Sequence, residues 1–207
     1  MIVKDIIIND ILPEIWPMLV IICVILVTLR LAYIFRGKKR IVLHTELLTL
    51  VFIIYILCLF HIVTFQDINY GTNNFIPFKE IFRYDINSTK FIKNIVGNII
   101  MFIPYGFFAS YYLKNRKFST IFILSLVVSL TIEIVQLNIG RVFDIDDVIL
   151  NTIGGITGYL LYVGIDAISS KLPKFFRSDA FLNLLVITII ILMIVYGFDI
   201  NIFNWYM

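Results

Sequence analysis

The chain has 207 residues, of which 60% are hydrophobic and 15% are charged, and its mean hydropathy is +0.97. A soluble domain has about a quarter charged residues, so this composition excludes the soluble globular class and predicts a single integral membrane domain over residues 1–207. The net charge is only +3, and no basic face is combined with stacking aromatics, which argues against a nucleic-acid partner.

Six apolar runs have about the 20-residue length that crosses the hydrocarbon core of a bilayer. In chain order they are residues 15–35, 47–65, 95–113, 120–137, 148–168 and 180–198. The sequence therefore predicts an all-α fold, a polytopic membrane helical bundle of about six transmembrane helices.

The distribution of basic residues predicts the orientation of these helices, because short loops rich in lysine and arginine stay on the cytoplasmic side. Basic residues collect in the loops after the first, third and fifth runs: Arg36, Lys38, Lys39 and Arg40; Lys114, Arg116 and Lys117; Lys171, Lys174 and Arg177. The other side has fewer basic residues, among them Lys4, and more acids. We therefore expect both termini, and the connection between the fourth and fifth runs, to face outward.

The connection over residues 66–93 is longer than most loops, and loops of this length are often functional or partly structured. It contains N-F-I-P-F-K-E-I-F over residues 74–82. This apolar content is not typical of a solvated linker. We expect the segment to lie along the membrane interface or to fold back onto the helix ends.

A polar stretch joins the fourth and fifth runs and extends into both. Glu133 and Asn151 at its ends would lie within the apolar layer, where an ionisable group costs at least about 2.5 kcal/mol and usually marks function. In the third run, Asn94 and Asn98 are neighbours at i, i+4 and so share one helical face. Asn98, Glu133 and Asn151 are at similar depth, which predicts an outward-facing polar cluster built from three helices.

Four interpretations of this cluster are open. A structural core would have Asn98, Glu133, Gln136, Arg141 and Asn151 satisfy one another, with Arg141 also able to reach Asp144 and Asp147. A catalytic site would use Glu133 as a general base, with Asp147 or its acidic neighbours Asp144 and Asp146 as acid partner or cation ligand. A channel or transporter is disfavoured, because the inner halves of these helices have no charged residues to continue a polar path.

The fourth interpretation is a ligand-binding site for the headgroup of a lipid or a lipid-linked sugar. Arginine suits a phosphate and amides suit hydroxyl groups. The residues for this role are Asn94, Asn98, Gln136, Arg141, Asp144 and Asn151. No cofactor motif is present, and the two isolated histidines, His44 and His61, lack the spacing of a zinc site. Gly154, Gly155 and Gly158 predict close helix packing, and the same glycine face would permit contact between two copies of the chain.

Four segments together resemble the VanZ-like family. They are N-F-I-P-F (74–78), N-I-I-M-F-I-P-Y-G (98–106), E-I-V-Q-L (133–137) and R-V-F-D-I-D-D-V-I-L-N-T-I-G-G-I-T-G (141–158). The resemblance implies a multi-pass protein of the bacterial plasma membrane, with a shared core over about 40–170 and an additional helix at about 180–198. It also implies a link to low-level resistance to teicoplanin and related lipoglycopeptides.

The resemblance and the predicted cluster together suggest a function at the outer membrane face. We expect the protein to bind or modify an envelope lipid or a lipid-linked precursor, with membrane lipids, such a precursor or a lipoglycopeptide as its partners. The alternative is a scaffold protein whose polar cluster only fixes helix packing.

Overall fold

A computed structural model describes residues 12–37, 42–65, 72–86, 88–114 and 117–197. The described chain forms helices α1 (Leu12–Gly37), α2 (Leu43–Phe65), α3 (Thr89–Leu113), α4 (Phe118–Asn138), α5 (Ile145–Lys171) and α6 (Asp179–Gly197). Short 3₁₀ turns lie at Ile81–Arg83 and Lys174–Arg177. Within these residues the only β-type pairing is an isolated bridge between Asn74 and Asp144, so the predicted all-α membrane bundle is confirmed.

Four of these helices are long and apolar enough to cross a membrane: Leu43–Thr64, Thr89–Leu113, Phe118–Asn138 and Ile145–Lys171. Two of the predicted spans fall on α1 and α6, whose described apolar stretches, Val20–Arg30 and Asp179–Leu192, are shorter. The prediction of about six spans is therefore slightly high for the described chain. Lys4, Lys38, Lys39, Arg40 and Arg116, which contributed to the predicted orientation, lie outside the described residues.

Helix ends coincide with polar side chains that bind free backbone groups. Ser88 begins α3 by accepting a hydrogen bond from Phe91 N (3.1 Å). Asp144 does the same for α5, since its carboxylate accepts from Asp146 N (2.9 Å). Serine and aspartate are favoured at these positions because the first N–H groups of a helix have no partner inside it.

The residues fall into two compact units, Met1–Ile62 with Lys171–Met207, and Val63–Ser170. In the first unit, Arg30 of α1 forms a two-pronged ion pair with Glu46 of α2, at 2.7 and 2.8 Å. His44 N donates to Asn183 Oδ1 of α6 (2.8 Å). The second unit contains α3, α4, α5 and the long connection, and it includes the whole predicted polar cluster.

Glycines bring α5 very close to α3 and α4 within the second unit. A Cβ atom added to Gly106 of α3 would overlap the backbone of Gly155, and one added to Gly158 would overlap the carbonyl of Ile103. A Cβ on Gly155 would also overlap the side chain of Ser125 in α4. The predicted packing role of this glycine face is confirmed.

Candidate functional site

Asn74 joins the long connection to the loop between α4 and α5. Its backbone N–H donates to Phe143 O (2.8 Å), and its carbonyl accepts from Ile145 N (3.0 Å). Its side-chain amide donates to Asp144 Oδ1 (2.8 Å), and the neighbouring rings of Phe75 and Phe143 stack at 5.2 Å. The connection thus folds back onto a helix end, which was one of the two arrangements predicted for it.

Asp146, in the first turn of α5, fixes the next part of the same connection. Its carboxylate accepts hydrogen bonds from the backbone N–H groups of Phe78, of Glu80 (2.7 Å) and of Ile81 (3.2 Å). Asp146 is only 1% exposed. Backbone donors compensate the cost of burying this charge. We call Asn74, Asp144, Asp146 and the backbone of residues 78–81 the clamp.

Glu133 ties the end of α4 to the clamp. Its Oε2 accepts from Asp144 N (2.9 Å), and its Oε1 accepts from the Gln136 amide (3.0 Å). When the Gln136 NH₂ group faces Glu133 in this way, the Gln136 oxygen accepts from Arg141 Nη1 (2.9 Å). In this orientation the amide has a donor opposite the carboxylate and an acceptor opposite the guanidinium. Glu133 is 1% exposed, so both of its oxygens are used inside the protein.

Arg141 binds an amide and a carbonyl rather than the acids expected from the sequence. Its Nη1 donates to Gln136 and to Val63 O (2.9 Å), and no acid in the described residues lies within ion-pair distance of it. Gln136 stands between Arg141 and Glu133, and Val63 O is one of the last carbonyls of α2, which lack a partner within their helix. Since a guanidinium has five N–H donors, Nε and Nη2 keep unused donors with respect to the described chain.

A different arrangement links α3 and α5. The Asn98 side-chain amide donates to Asp147 Oδ1, as expected for an amide that faces another membrane helix. Both side chains are partly exposed, and Asp147 interacts electrostatically with Glu133, Asp144 and Arg141. Asp147 Oδ2 and Asn98 Oδ1 have no hydrogen-bond partner among the described residues. We call Asn98 and Asp147 the open pair.

Asn151 lies one helical turn along α5 from the open pair and is 2% exposed. Its Nδ2 donates to Ser129 Oγ of α4 (3.0 Å). Its Oδ1 and the hydroxyl of Ser125 are buried without a protein partner. A carboxyl and amides from three helices therefore do gather at one end of this unit, as the sequence predicts.

Asn94 is the one predicted ligand-binding residue that the structure separates from the cluster. It is exposed, and its amide donates to Tyr84 OH (3.1 Å). Residues Ile92–Val96 form a π-helical turn, which holds more residues than an α-helical turn and shifts the register. The Asn94 amide thus bonds to the connection between α2 and α3, whereas the Asn98 amide bonds to Asp147 of α5.

Asp144 is the only acid of the cluster that lies outside a membrane-spanning segment. Burial raises the pKa of its carboxyl above the ordinary value, and the nearby charges of Asp146 and Glu80 act in the same direction. The hydrogen bonds from Asp146 N and Asn74 oppose this shift in pKa. In the described part of the chain, no group of three or more His, Cys, Asp or Glu side chains could hold a metal ion, so the cation-ligand interpretation gains no support.

Sequence reasoning missed Asn74 and Ser129 as parts of the cluster. Asn74 stood in a recognised motif, but nothing local pointed to its partner seventy positions away. For Ser129 a signal existed: Ser125, Ser129 and Glu133 recur every four residues along α4, which places them on one helical face.

The chain is similar to a known protein family and to one curated protein. The sequence model of the VanZ/LLP1 family matches residues 47–168, a range that contains the clamp and the open pair. Protein VanZ of Enterococcus faecium is 30% identical over 164 residues, which cover 77% of this chain and 94% of that protein. No solved structure gives a significant match. With more than half of its length matched, the chain belongs to the VanZ/LLP1 family.

Proposed function

We propose that the protein lowers the sensitivity of a bacterial cell to lipoglycopeptides of the teicoplanin type by binding an envelope lipid or lipid-linked precursor at the outer face of the plasma membrane. Membership of the VanZ/LLP1 family and the similarity to VanZ support the general kind of function. The arrangement of the polar cluster supports the more specific proposal, that the protein binds a lipid headgroup.

The open pair is the observation that carries this proposal. Asp147 Oδ2 and Asn98 Oδ1 are acceptors with no partner in the described chain, and both side chains are partly exposed. Arg141 is linked through Gln136 and Glu133 to the backbone that begins α5, and it keeps unused donors. Free acceptors and a guanidinium in one polar cluster suit a headgroup that has hydroxyl groups and a phosphate.

Binding explains the geometry better than catalysis by Glu133 does. A general base must come within hydrogen-bond reach of the proton that it removes. Glu133 is 1% exposed, and both of its oxygens already accept hydrogen bonds from Asp144 and Gln136. This favours a positioning role, in which Glu133 holds the start of α5 and thereby Asp147.

The test is the teicoplanin susceptibility of a sensitive host that expresses the protein or a variant at equal membrane levels. We expect Asp147→Asn, Asn98→Ala and Arg141→Ala each to abolish most of the protection. Two matched controls, Asp85→Asn and Asn94→Ala, change an exposed acid and an exposed amide of the same unit and should retain it. Full protection by all three site variants would contradict the proposal and favour the scaffold alternative.

Lipid analysis separates binding from modification. Mass spectrometry of lipids co-purified with the protein should show a phosphate-containing species that is retained by the unsubstituted chain and lost from Asp147→Asn. Total envelope lipids should be the same with and without expression. A new or missing lipid species that depends on Asp147 would show modification instead of binding.

A further inference from the structure

The connection between α2 and α3 exposes a group of large apolar side chains. Phe82 is 84% exposed, Ile86 72% and Phe75 66%, and Ile76 and Phe78 are exposed by half or more. Single exposed apolar residues are ordinary on a protein surface, but a cluster of this kind marks an interaction site. We call these five residues the loop patch.

The clamp fixes the backbone that carries the loop patch. Phe78 has a φ of 67°, a left-handed conformation that is unfavourable for a bulky residue, and its N–H is bound to Asp146. The rings of Phe78 and Phe82 approach each other at 6.3 Å. The backbone from which these side chains project is thus held by hydrogen bonds to α5.

Two observations identify a lipid surface as the occupant. The first is position, because the connection runs between the membrane helices α2 and α3 and is clamped to the first turn of a third, α5. The patch is therefore held where membrane helices end. It also continues along the chain into Ile92 of α3, which is itself 39% exposed.

The second observation is the charge around the patch. Lys79, Lys90 and Lys93 are exposed, and Arg83 stands beside Phe82, where it pairs with Glu80 (3.1 Å). Phenylalanine and isoleucine flanked by lysine and arginine are typical of segments that lie in the interface, with their apolar side chains inserted about 5–10 Å. Basic residues at that level also attract anionic headgroups.

We infer that the loop patch inserts into the headgroup and upper acyl region of the bilayer, so that the connection between α2 and α3 is a membrane-docked element rather than a solvated loop. The inference is independent of the headgroup proposed for the open pair. It predicts that Phe82 and Ile76 are in contact with lipid, whereas Asp85 of the same connection is in contact with water.

Spin-label accessibility in proteoliposomes tests this inference. The full chain with Cys23→Ala and Cys58→Ala receives one new cysteine, Phe82→Cys or Ile76→Cys, with Asp85→Cys as the matched control. The labelled protein is placed in vesicles of phosphatidylcholine and phosphatidylglycerol in equal amounts. Collisions with oxygen, which partitions into lipid, are then compared with collisions with a water-soluble nickel chelate.

We expect oxygen collisions to dominate at positions 82 and 76 and nickel collisions to dominate at position 85. Adding Phe82→Ser to the Ile76-labelled chain should shift that label toward water, because an anchor has been removed. Dominant nickel collisions at position 82 would overturn the inference. Low accessibility to both reagents there would overturn it too, since protein rather than lipid would then cover the patch.

Discussion

Acids at the start of α5 serve two regions of the molecule in opposite ways. In the clamp, Asp146 is buried and receives three backbone hydrogen bonds. In the open pair, Asp147 is its immediate neighbour in sequence, yet it receives one hydrogen bond and remains partly exposed. Burial with every acceptor used indicates a holding role, whereas exposure with a spare acceptor leaves Asp147 available for the proposed contact with another molecule.

Removing the clamp carboxylate should have the largest effect on stability. Asp146→Ala leaves the N–H groups of residues 78, 80 and 81 without their acceptor, and hydrogen bonds to a charged group contribute about 1.5–3 kcal/mol each. Because water can replace some of these hydrogen bonds, we expect the free energy of unfolding to fall by about 3 kcal/mol. SDS titration of the detergent-solubilised protein measures this change. Asp85→Ala is the control, and an equally small effect of the two changes would contradict the role of the clamp.

Glu133→Gln should have an intermediate effect. The oxygen of a glutamine at position 133 can accept from Asp144 N, but its NH₂ group would then face the NH₂ group of Gln136. Rotating the Gln136 amide by 180° would remove this conflict but would place its NH₂ group against the donors of Arg141. We expect a loss of about 1–2 kcal/mol in the same titration. The double variant Glu133→Gln with Gln136→Glu restores an acceptor opposite a donor and should recover part of it. If the double variant recovers no stability, the facing NH₂ groups are not the cause of the destabilisation.

Asp147→Asn should change stability least while it changes protection most. The oxygen of an asparagine can still accept from Asn98, and water can reach this partly exposed position in place of the lost carboxylate contacts. We therefore expect the free energy of unfolding to change by less than about 1 kcal/mol. The comparison between Asp146 and Asp147 fails if this variant is as destabilised as Asp146→Ala. It is sharpened if stability is retained and teicoplanin protection is lost.

The pH dependence of stability gives the smallest effect, at Asp144. Since burial raises the pKa of Asp144, the folded protein binds this proton more tightly than the unfolded chain does. Its contribution is therefore fully present below the ordinary pKa of about 4 and is lost as the pH rises through the raised pKa. Asp144→Asn keeps an acceptor oxygen for Asn74 and should flatten this part of the dependence of the unfolding free energy on pH. An unchanged dependence would contradict the assignment to Asp144.

Helices were predictable from the sequence, while their partners were not. The apolar run at 47–65 predicted α2 to within a few residues, since the helix covers Leu43–Phe65. Such runs are reliable because a helix that crosses lipid needs a continuous apolar stretch. The location of the cluster followed from the cost of placing Glu133 and Asn151 among apolar neighbours. Both arguments depend only on side-chain chemistry along the chain.

The contacts within the cluster depend on backbone groups, which a sequence does not distinguish. Asp146 binds N–H groups that every non-proline residue has, and Arg141 binds the carbonyl of Val63. The partner of Asn94 likewise has no distinct sequence signal, since its amide bonds to Tyr84, ten positions earlier in the chain. Charge complementarity alone would have paired Arg141 with an acid.

The contact of Gly106 with Gly155 also affects the geometry of the open pair. With backbone against backbone, a Cβ atom at position 106 would overlap the backbone of Gly155 and force α3 and α5 apart. The separation of Asn98 and Asp147, one from each helix, therefore depends on the absence of a side chain at position 106. Under the proposed function, a substitution at this distant glycine would change the spacing that a headgroup meets without altering either side chain of the open pair.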